Sequence, residues 1–155
     1  MKNICYIETP IGVLSIIVEG EKVTSITITE DEMKTEQPNC ELLLSITNEI
    51  ESYFEGTIKE FTFPVSMKGT MFQRAVWEEL RRIPYGATAT YGEIAKRIDR
   101  PAAARAVGMA CNRNSLLIAV PCHRVVGNKG ALTGFAVGIE RKRFLLELER
   151  EACGK

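Results

Sequence analysis

The residues best suited to chemistry are Cys122 and His123, which are neighbours in the segment Val-Pro-Cys-His-Arg-Val-Val. A cysteine thiolate is a strong nucleophile, and a nearby imidazole can accept the thiol proton near neutral pH. The chain contains one histidine, so no other imidazole is available for this task. Apolar residues 116–120 lead into the pair, and Pro121 prevents a central strand from continuing. The pattern predicts a displayed cysteine nucleophile, with a buried structural cysteine as the alternative.

The C-terminal segment supplies a carboxylate that could act on His123. Glu149 occupies one position of an i, i+3, i+4, i+7 stripe whose other members are apolar: Leu145, Leu148 and Ala152. A buried carboxylate needs a partner, and binding to His123 would orient the imidazole and raise its basicity. Neighbours in an extended chain point to opposite sides, so we expect His123 to reach Cys122 through a water or a turn. An exposed edge position for Glu149 is the alternative.

Other kinds of chemical site find little support in the sequence. The five cysteines, at positions 5, 40, 111, 122 and 153, lack zinc-finger spacing, and no Gly-rich phosphate loop is present. We therefore expect no metal and no cofactor. A Cys–His hydrolase would need its base and nucleophile in direct reach. The odd cysteine count and the early Glu8, which interrupts any signal-peptide core, indicate a reducing cytoplasm. No apolar run is long enough to cross a membrane.

A net charge of zero conceals two halves of opposite charge. Residues 1–66 carry four Lys/Arg and twelve Asp/Glu, a net charge of −8, whereas residues 67–155 carry sixteen and eight, a net charge of +8. A chain of 155 residues can form one domain or two small ones. We place a domain boundary between residues 66 and 67, and we expect the second domain to bind a polyanion such as a nucleic acid.

The first half has the pattern of a small sheet and one helix. Three β-branched runs with turn-like residues between them predict strands at Ile4–Glu8, Val13–Val18 and Val23–Thr29. Apolar residues then recur at helical spacing over residues 42–54, and Gly56 follows where a C-terminal cap belongs. Nothing in this half suggests chemistry, so we expect it to have a structural role.

Two capping boxes punctuate the second half. Thr70-x-x-Gln73 predicts a helix with an apolar stripe behind it, and Thr90-x-x-Glu93 predicts a short helix that runs through residue 98. Pro101 is expected at the first position of a further helix, which continues through residues 102–110. Two short helices joined by a tight turn, in the basic half of the chain, fit a helix-turn-helix.

The predicted helix over residues 102–110 is rich in alanine and glycine. Small side chains fill little core volume, but they let a helix backbone approach a narrow groove of DNA closely. Arg105 would then be the only long side chain that reaches the DNA. Tight packing against another helix is the alternative explanation for these small residues.

A resemblance to a known family runs from about Phe72 to Glu149 and rests on six sequence blocks in a fixed order. The blocks are Ile83-Pro-Tyr-Gly86, Tyr91-Gly-Glu-Ile-Ala95, Arg105-Ala-Val-Gly108, Asn112-Arg-Asn114, Pro121-Cys-His-Arg-Val125, and Gly138-Ile-Glu-Arg-Lys-Arg143 with Leu145-Leu146. They resemble the methylated-DNA–protein-cysteine methyltransferases, the alkylguanine-DNA alkyltransferase family. The resemblance implies an α/β (α+β) fold, with a small ribonuclease H-like sheet-plus-helix domain at residues 1–66 and a winged helix-turn-helix domain at residues 67–155.

The resemblance also implies roles for individual residues. The catalytic set would be Cys122 as alkyl acceptor, His123 and Glu149 as its activators through a water, Asn114 as a brace of the active-site turn, and Tyr91 as proton donor to the departing guanine. Arg105 would fill the space left by a flipped base. Further DNA contacts would come from Tyr91, Gly92, Gln73, Ala103, Ala104 and Asn128. The guanine would be bound by Val125, Phe135, Ala136 and the backbone of Cys122.

The function implied is stoichiometric DNA repair, in which one alkyl group moves from O6-alkylguanine, and also from O4-alkylthymine, in double-stranded DNA to Cys122. The protein would act as a monomer, without cofactor, metal or membrane, in the cytoplasm, on the nucleoid, or in the nucleus of a eukaryotic source. Two other classes fit part of the sequence. An alkyltransferase-like protein would bind alkylated DNA but lack the acceptor cysteine, and a winged-helix regulator would not require the Pro-Cys-His-Arg segment.

Three positions depart from the family pattern. Ser115 stands where proline is usual, so the resemblance implies a less rigid active-site turn. Phe135 replaces a frequent tyrosine, which removes a hydroxyl near the base. Of the zinc ligands found in some animal members, only Cys5 has a match in this chain.

Overall fold

A computed structural model describes residues 2–30 and 36–154, and the chain divides into two units, Met1–Ser66 and Met67–Lys155. The first unit contains a three-stranded antiparallel sheet in the order β1 (Lys2–Thr9), β2 (Gly12–Glu19) and β3 (Lys22–Thr29). The three predicted strands are confirmed, and each begins one or two residues earlier than the β-branched run. Together with the helical second unit, this sheet gives the mixed α/β fold that the sequence predicts.

Helix α1 (Glu41–Glu55) completes the first unit and packs against β1. Its buried positions, Leu43, Ile46, Ile50 and Tyr53, follow the helical spacing seen in the sequence. Gly56 ends the helix in the left-handed conformation, with φ of 80°, a value that glycine adopts without a steric penalty. The predicted helix and its cap are confirmed.

The second unit is mostly helical. It contains α2 (Met71–Leu80), α3 (Tyr91–Arg97), α4 (Ala104–Asn112) and α5 (Ile139–Cys153). Two short strands, β4 (Ala89–Thr90) and β5 (Val125–Val126), form a parallel pair. Both capping boxes are present, because the Thr70 and Thr90 hydroxyls accept from the third helical N–H while Gln73 and Glu93 accept in return.

Helix α4 begins later than the sequence predicted. The prediction of a start at Pro101 is wrong, because residues 100–103 form a turn that the Ala103 N–H closes by donating to the Arg100 carbonyl at 2.9 Å. Asp99 before this turn has φ of 60°, which breaks the helical path. Pro101 fits the turn because its fixed φ suits such positions. At its other end, the helix reaches Asn112, two residues beyond the predicted end.

Helices α2, α3 and α4 pack together. Of these, α3 and α4 are the two short helices of the predicted helix-turn-helix. The indole of Trp77 on α2 is buried and its Nε1 donates to the Ala110 carbonyl of α4 at 2.9 Å. This bond satisfies a polar group that would otherwise be costly to bury, and it fixes α4 along α2. In the part of the chain that the structure describes, no helix has the length and apolar character needed to cross a membrane.

Candidate active site

Cys122 lies at the start of a 3₁₀ turn, Cys122–Arg124, and its side chain is only 5% exposed. The thiol is therefore buried, whereas the sequence pattern predicted a displayed one. Residues 116–120 form a turn and not a strand, because the Val120 N–H donates to the Leu116 carbonyl at 2.9 Å. Ile118 within it has φ of 63°, a conformation that costs a β-branched residue of order 1–3 kcal/mol and requires support from its surroundings.

Asn114 supplies that support. Its Nδ2 donates to the Val120 carbonyl at 2.8 Å and to Cys122 Sγ at 3.2 Å, and its Oδ1 accepts from the Leu116 N–H at 2.9 Å. One amide thus closes both ends of the turn and contacts the sulfur. This placement agrees with the bracing role that the resemblance implied, and the exposed Ser115 takes no part in these bonds.

His123 and Glu149 are in contact, as the helical stripe of α5 suggested. His123 Nε2 lies 2.6 Å from Glu149 Oε2, and both side chains are essentially inaccessible to solvent. Glu149 is therefore a buried, paired carboxylate and not an edge residue. The 3₁₀ turn directs the imidazole towards α5.

Arg124 is a member of this cluster that the sequence analysis missed. Its Nε donates to Glu149 Oε1 at 2.8 Å and its Nη2 to Glu149 Oε2 at 3.0 Å, a bidentate ion pair. Its Nη1 donates to the Ile83 carbonyl at 2.8 Å, and its guanidinium lies 5.6 Å from the centre of the Tyr85 ring. The Ile83-Pro-Tyr-Gly86 block therefore anchors Arg124. The sequence signal that could have identified Arg124 is a charged residue directly before the apolar pair Val125-Val126.

The electrostatics of the cluster favour a resting state with one buried ion pair. Burial raises the pKa of Cys122, although the Asn114 amide and the Lys142 ammonium oppose that effect. Burial lowers the pKa of His123 against the opposing interaction with Glu149. Burial alone would raise the pKa of Glu149, but hydrogen bonds and charges from His123 and Arg124 lower it to about 2. At neutral pH the thiol is protonated, the imidazole is neutral and the carboxylate is ionised.

The proton of the neutral imidazole lies on Nε2, because that nitrogen faces an ionised carboxylate. Nδ1 is then an unprotonated base. Among the described residues, Nδ1 of His123 is a buried side-chain nitrogen without a hydrogen-bond partner. A buried acceptor of this kind is costly unless a ligand or water uses it, so the geometry suits uptake of a proton at Nδ1.

A second buried cation, Lys142, was also missed by the sequence analysis. Its side chain is 0% exposed, and its Nζ donates to the Thr133 and Gly134 carbonyls at 2.9 and 3.3 Å. The ammonium lies 5.8 Å from the centre of the Tyr91 ring and 5.9 Å from that of Phe135. Extending the apolar stripe of α5 by one turn towards its N-terminus would have placed Lys142 on the buried face.

The residues expected to bind the guanine lie on two segments. Val125 is buried in β5, paired with Ala89 of β4, whereas Phe135 is partly exposed and Ala136 is exposed on the segment before α5. Lys142 brings the Phe135 and Tyr91 rings to the same ammonium. The structure therefore gathers the Tyr91 and Phe135 rings around one ammonium.

Most residues expected to contact DNA lie at the starts of α3 and α4. Tyr91 and Gly92 begin α3, and Ala103 and Ala104 form the N-terminal end of α4, directly before the exposed Arg105. Gln73 is committed to its capping box, where its Oε1 accepts from the Thr70 N–H at 2.9 Å. Asn128 is exposed in a separate 3₁₀ turn, Asn128–Gly130.

The expectation that Arg105 is the only long side chain on the exposed face of α4 is wrong. Met109 follows Arg105 by four residues, on the same helical face, and is 66% exposed. Arg113 is exposed at the end of the same helix. The side chains on this face are therefore small near the N-terminus of α4 and larger towards its C-terminus.

Metal ligands are not grouped in the described ranges 2–30 and 36–154, where no three His, Cys, Asp or Glu side chains lie close enough to hold an ion. All five cysteines fall within these ranges and are free thiols. Cys5, the one match to a zinc ligand of some relatives, is buried in β1.

Comparisons with known proteins cover most of the chain. Residues 4–67 match the ribonuclease-like domain of 6-O-methylguanine DNA methyltransferase, and residues 71–151 match its DNA-binding domain. A Methanosarcina acetivorans protein named methylated-DNA–protein-cysteine methyltransferase is 45% identical over 147 residues, which span 92% of this chain and 94% of the relative.

Solved structures agree as well. The O6-methylguanine methyltransferase of Mycobacterium tuberculosis superposes with a TM-score of 0.88 at 41% identity, over 98% of this chain and 94% of that one. The same bacterium's protein in complex with DNA gives a TM-score of 0.88 at 42% identity, over 96% and 93% of the two chains. The chain therefore belongs to the 6-O-methylguanine DNA methyltransferase family.

Proposed function

We propose that this protein repairs DNA by moving one alkyl group from O6-alkylguanine, and also from O4-alkylthymine, to Cys122. The observation that carries the proposal is the cluster around the sulfur. The buried thiol of Cys122 accepts a hydrogen bond from Asn114, and the next residue, His123, has its Nε2 2.6 Å from the ionised Glu149 carboxylate. The names of the relatives, and the DNA complex of one of them, support the same reaction.

The reaction begins with loss of the thiol proton. A water between Cys122 Sγ and His123 Nδ1 would pass that proton to the imidazole, and Glu149 would stabilise the imidazolium that forms. Arg124 holds Glu149 ionised and in place through its two hydrogen bonds. This proton transfer from Cys122 to His123 is needed because burial leaves the resting thiol protonated.

The thiolate then attacks the alkyl carbon. A carbon–sulfur bond forms, the bond from that carbon to O6 breaks, and its electron pair stays with the guanine. The departing base takes a proton from the Tyr91 hydroxyl, and the imidazolium proton passes through solvent to the Tyr91 oxygen. In net terms, one proton moves from the thiol to guanine. Burial raises the pKa of Tyr91, and this keeps its proton available at neutral pH.

The alkylated base must leave the helical stack before its O6 substituent can reach a buried sulfur. Arg105 on the exposed face of α4 would fill the space left by the base, and the small residues Ala103 and Ala104 would let α4 approach the groove. Gly92, Gln73 and Asn128 would add contacts to the DNA backbone. Val125, Phe135 and Ala136 would bind the base beside Cys122.

Each molecule would react once, because a thioether at Cys122 has no neighbouring group that can hydrolyse it. We propose that the protein works as a monomer, since every residue of the proposed site comes from one unit of one chain. The five free thiols support work in the reducing cytoplasm, at the nucleoid, or in the nucleus of a eukaryotic source.

The decisive experiment is intact-mass analysis after incubation with a duplex that contains one O6-methylguanine. We expect the mass of one methyl group on each active molecule, and peptide mapping should assign it to Cys122. Cys122→Ser should bind the duplex without transfer, because a serine hydroxyl stays protonated at neutral pH. Multiple turnovers, or an adduct on Cys5, Cys40, Cys111 or Cys153, would refute the proposal. Binding without transfer by the wild-type protein would indicate a non-enzymatic binder of alkylated DNA.

A further inference from the structure

Met109 is an apolar side chain to which the proposed reaction gives no role, although it lies on the face of α4 that carries Arg105. It is 66% exposed, and its neighbours Ala106 and Ala110 are too small to cover it. A single exposed methionine is common on protein surfaces and indicates little by itself. Its position is more informative, because Arg105 precedes it by four residues and the exposed Arg113 follows it by four, which places all three on one helical face.

A groove of about 290 Å³ runs beside Met109, between α4 and the beginning of α2. Met109 and Ala106 line this α2–α4 groove from one helix, Phe72 and Gln73 line it from the other, and Arg113 also borders it. Within the part of the chain that the structure describes, no carboxylate lines the groove. The groove therefore offers apolar and polar surface together with one positive charge.

The α2–α4 groove is preformed, because contacts between the two helices fix the spacing of its walls. The buried Trp77 of α2 donates from Nε1 to the Ala110 carbonyl of α4 at 2.9 Å. Gly69 lies close against this indole, since an added Cβ would be 2.7 Å from the ring. Gln73 is held in its capping box with Thr70. A groove with fixed walls can bind a ligand without first losing conformational freedom.

The chemistry of the α2–α4 groove fits one strand of a DNA duplex. A strand alternates anionic phosphates with deoxyribose rings, so Arg113 suits a phosphate and the Met109 thioether suits the apolar face of a sugar. Arg105 and Arg113 are eight residues apart, about 12 Å along the helix axis, so a strand that contacts both passes Met109 midway. The groove thus continues the surface on which Arg105 lies.

We propose that Met109 is a DNA-contacting residue, whose thioether packs against a deoxyribose of the strand in the α2–α4 groove, next to the nucleotide that Arg105 displaces. This inference rests on the proposed function for the place of Arg105, but the contact itself needs no alkylated base. Methionine is among the apolar side chains that press into the minor groove of a distorted duplex. The contact therefore supports base displacement by adding affinity that does not depend on charge.

Fluorescence anisotropy with an unmodified duplex tests the contact. Met109→Ala should weaken binding roughly tenfold, which is the loss expected when one methionine is no longer buried. The slope of log affinity against log salt should keep its wild-type value, because no charge is removed. Met109→Leu keeps the apolar volume and should restore most of the affinity. Met71→Ala is the matched control, since Met71 is 83% exposed on α2 but lines a different groove. Wild-type or tighter binding by Met109→Ala would overturn the proposal.

Free O6-methylguanine separates this contact from the chemistry at Cys122. Met109→Ala should react with the free base at the wild-type rate, because no strand occupies the α2–α4 groove. Its rate on a methylated duplex, at protein concentrations below saturation, should fall in proportion to its affinity. Equal losses on both substrates would overturn the proposal, since they would assign Met109 to the fold of the site. If the wild-type protein binds the duplex but transfers nothing, the proposed function fails, whereas the binding comparison still decides the role of Met109.

Methionine oxidation tests the same contact in the wild-type protein. Hydrogen peroxide gives one oxygen atom to a thioether, which becomes a sulfoxide while water leaves. Met109 and Met71 should both oxidise in the free protein, because both are exposed, and peptide mass spectrometry follows each of them. Excess unmodified duplex should slow oxidation of Met109 several-fold and leave that of Met71 unchanged. Protection of neither methionine, or equal protection of both, would overturn the placement of the strand in the α2–α4 groove. Protection of Met109 by an acidic peptide and not by the duplex would also overturn it, and would indicate a protein partner.

Discussion

Cys122 presents a problem of activation, since its surroundings oppose the ionised form that alkyl transfer requires. Burial raises its pKa, and the Asn114 side chain that donates a hydrogen bond to Sγ is a neutral amide. A reactive cysteine of the common kind has a lowered pKa instead. The thiolate must therefore form when the base and its leaving group are already bound, and His123 is the group that can take the proton.

Glu149→Gln tests whether Glu149 gives His123 that ability. The thiolate fraction rises tenfold per pH unit below the thiol pKa, so a further rise of one unit in that pKa slows reaction roughly tenfold at neutral pH. We expect slower alkylation of Cys122 by a small electrophile in the variant. The rate should recover as the pH passes the new, higher pKa of the thiol. The measurement is a pH profile of adduct formation by mass spectrometry.

The same substitution should also lower stability, which needs its own control. A neutral amide at this position cannot replace the ionised carboxylate between His123 and Arg124, and breaking a buried ion pair costs about 3–5 kcal/mol. Reactivity is therefore compared only at temperatures where circular dichroism shows the variant folded. Glu147→Gln, at an exposed position of the same helix, should match the wild-type protein in both measurements. An unchanged pH profile in folded Glu149→Gln would assign Glu149 a purely structural role.

At the scale of elements, the site depends on turns more than on helices. The 3₁₀ turn at Cys122–Arg124 directs His123 and Arg124 towards α5, and the turn before it is held by Asn114. Gly86 shows how tightly the neighbouring turn is built, because its φ is 82° and an added Cβ would lie 2.5 Å from Cys153 Sγ. The glycine of the Ile83-Pro-Tyr-Gly86 block is thus required by both backbone angle and space.

Arg105→Ala tests the role of α4. Opening a base pair costs a few kcal/mol, and a side chain that fills the vacated space offsets part of this cost. Each 1.4 kcal/mol lost corresponds to about tenfold in rate, so we expect repair of a duplex to slow by roughly tenfold or more. Reaction with free O6-methylguanine should hardly change, since no base is displaced. Single-turnover rates on both substrates measure the difference.

A surface arginine away from α4 provides the comparison. Arg82 is 74% exposed at the end of α2, so Arg82→Ala removes the same charge without touching the proposed groove contact. It should lower the duplex rate much less than Arg105→Ala. Equal losses on the duplex and on the free base would remove Arg105 from base displacement.

Local signals predicted most elements, and long-range packing explains where they failed. Capping boxes and apolar spacing predicted α1, α2 and α3, because these depend on residues three or four apart. The start of α4 was misplaced since Pro101 fits a turn as well as a helix. The contact of His123 with Glu149 could be predicted from the stripe on α5. The partners of Arg124 and Lys142 could not, because they lie on other segments of the chain, such as Ile83 and Thr133.

At the scale of the whole molecule, the neutral chain combines two units of opposite charge. The second unit carries a net charge of +8 over residues 67–155, and the first carries −8 over residues 1–66. Not every cation is available to a partner. Arg124 is paired with Glu149 and Lys142 is enclosed, so neither is free to neutralise a phosphate. Exposed cations such as Arg105 and Arg113 remain to do so.

This charge distribution predicts how DNA binding depends on salt and sequence. Each phosphate neutralised by a lysine or arginine contributes about −0.9 to the slope of log affinity against log salt, because counterions are released. For the full chain we expect a steep negative slope on unmodified duplexes. Duplexes of unrelated sequence should bind with nearly equal affinities, since phosphate contacts carry no sequence information.

Arg105→Ala should make the slope shallower by about one unit if Arg105 also contacts a phosphate, and should leave it unchanged if it only occupies the stack. Lys142→Met, whose charge is enclosed, should leave the slope unaltered. Fluorescence anisotropy at several salt concentrations measures these slopes, and salt-independent or strongly sequence-dependent affinity would contradict binding through the basic unit.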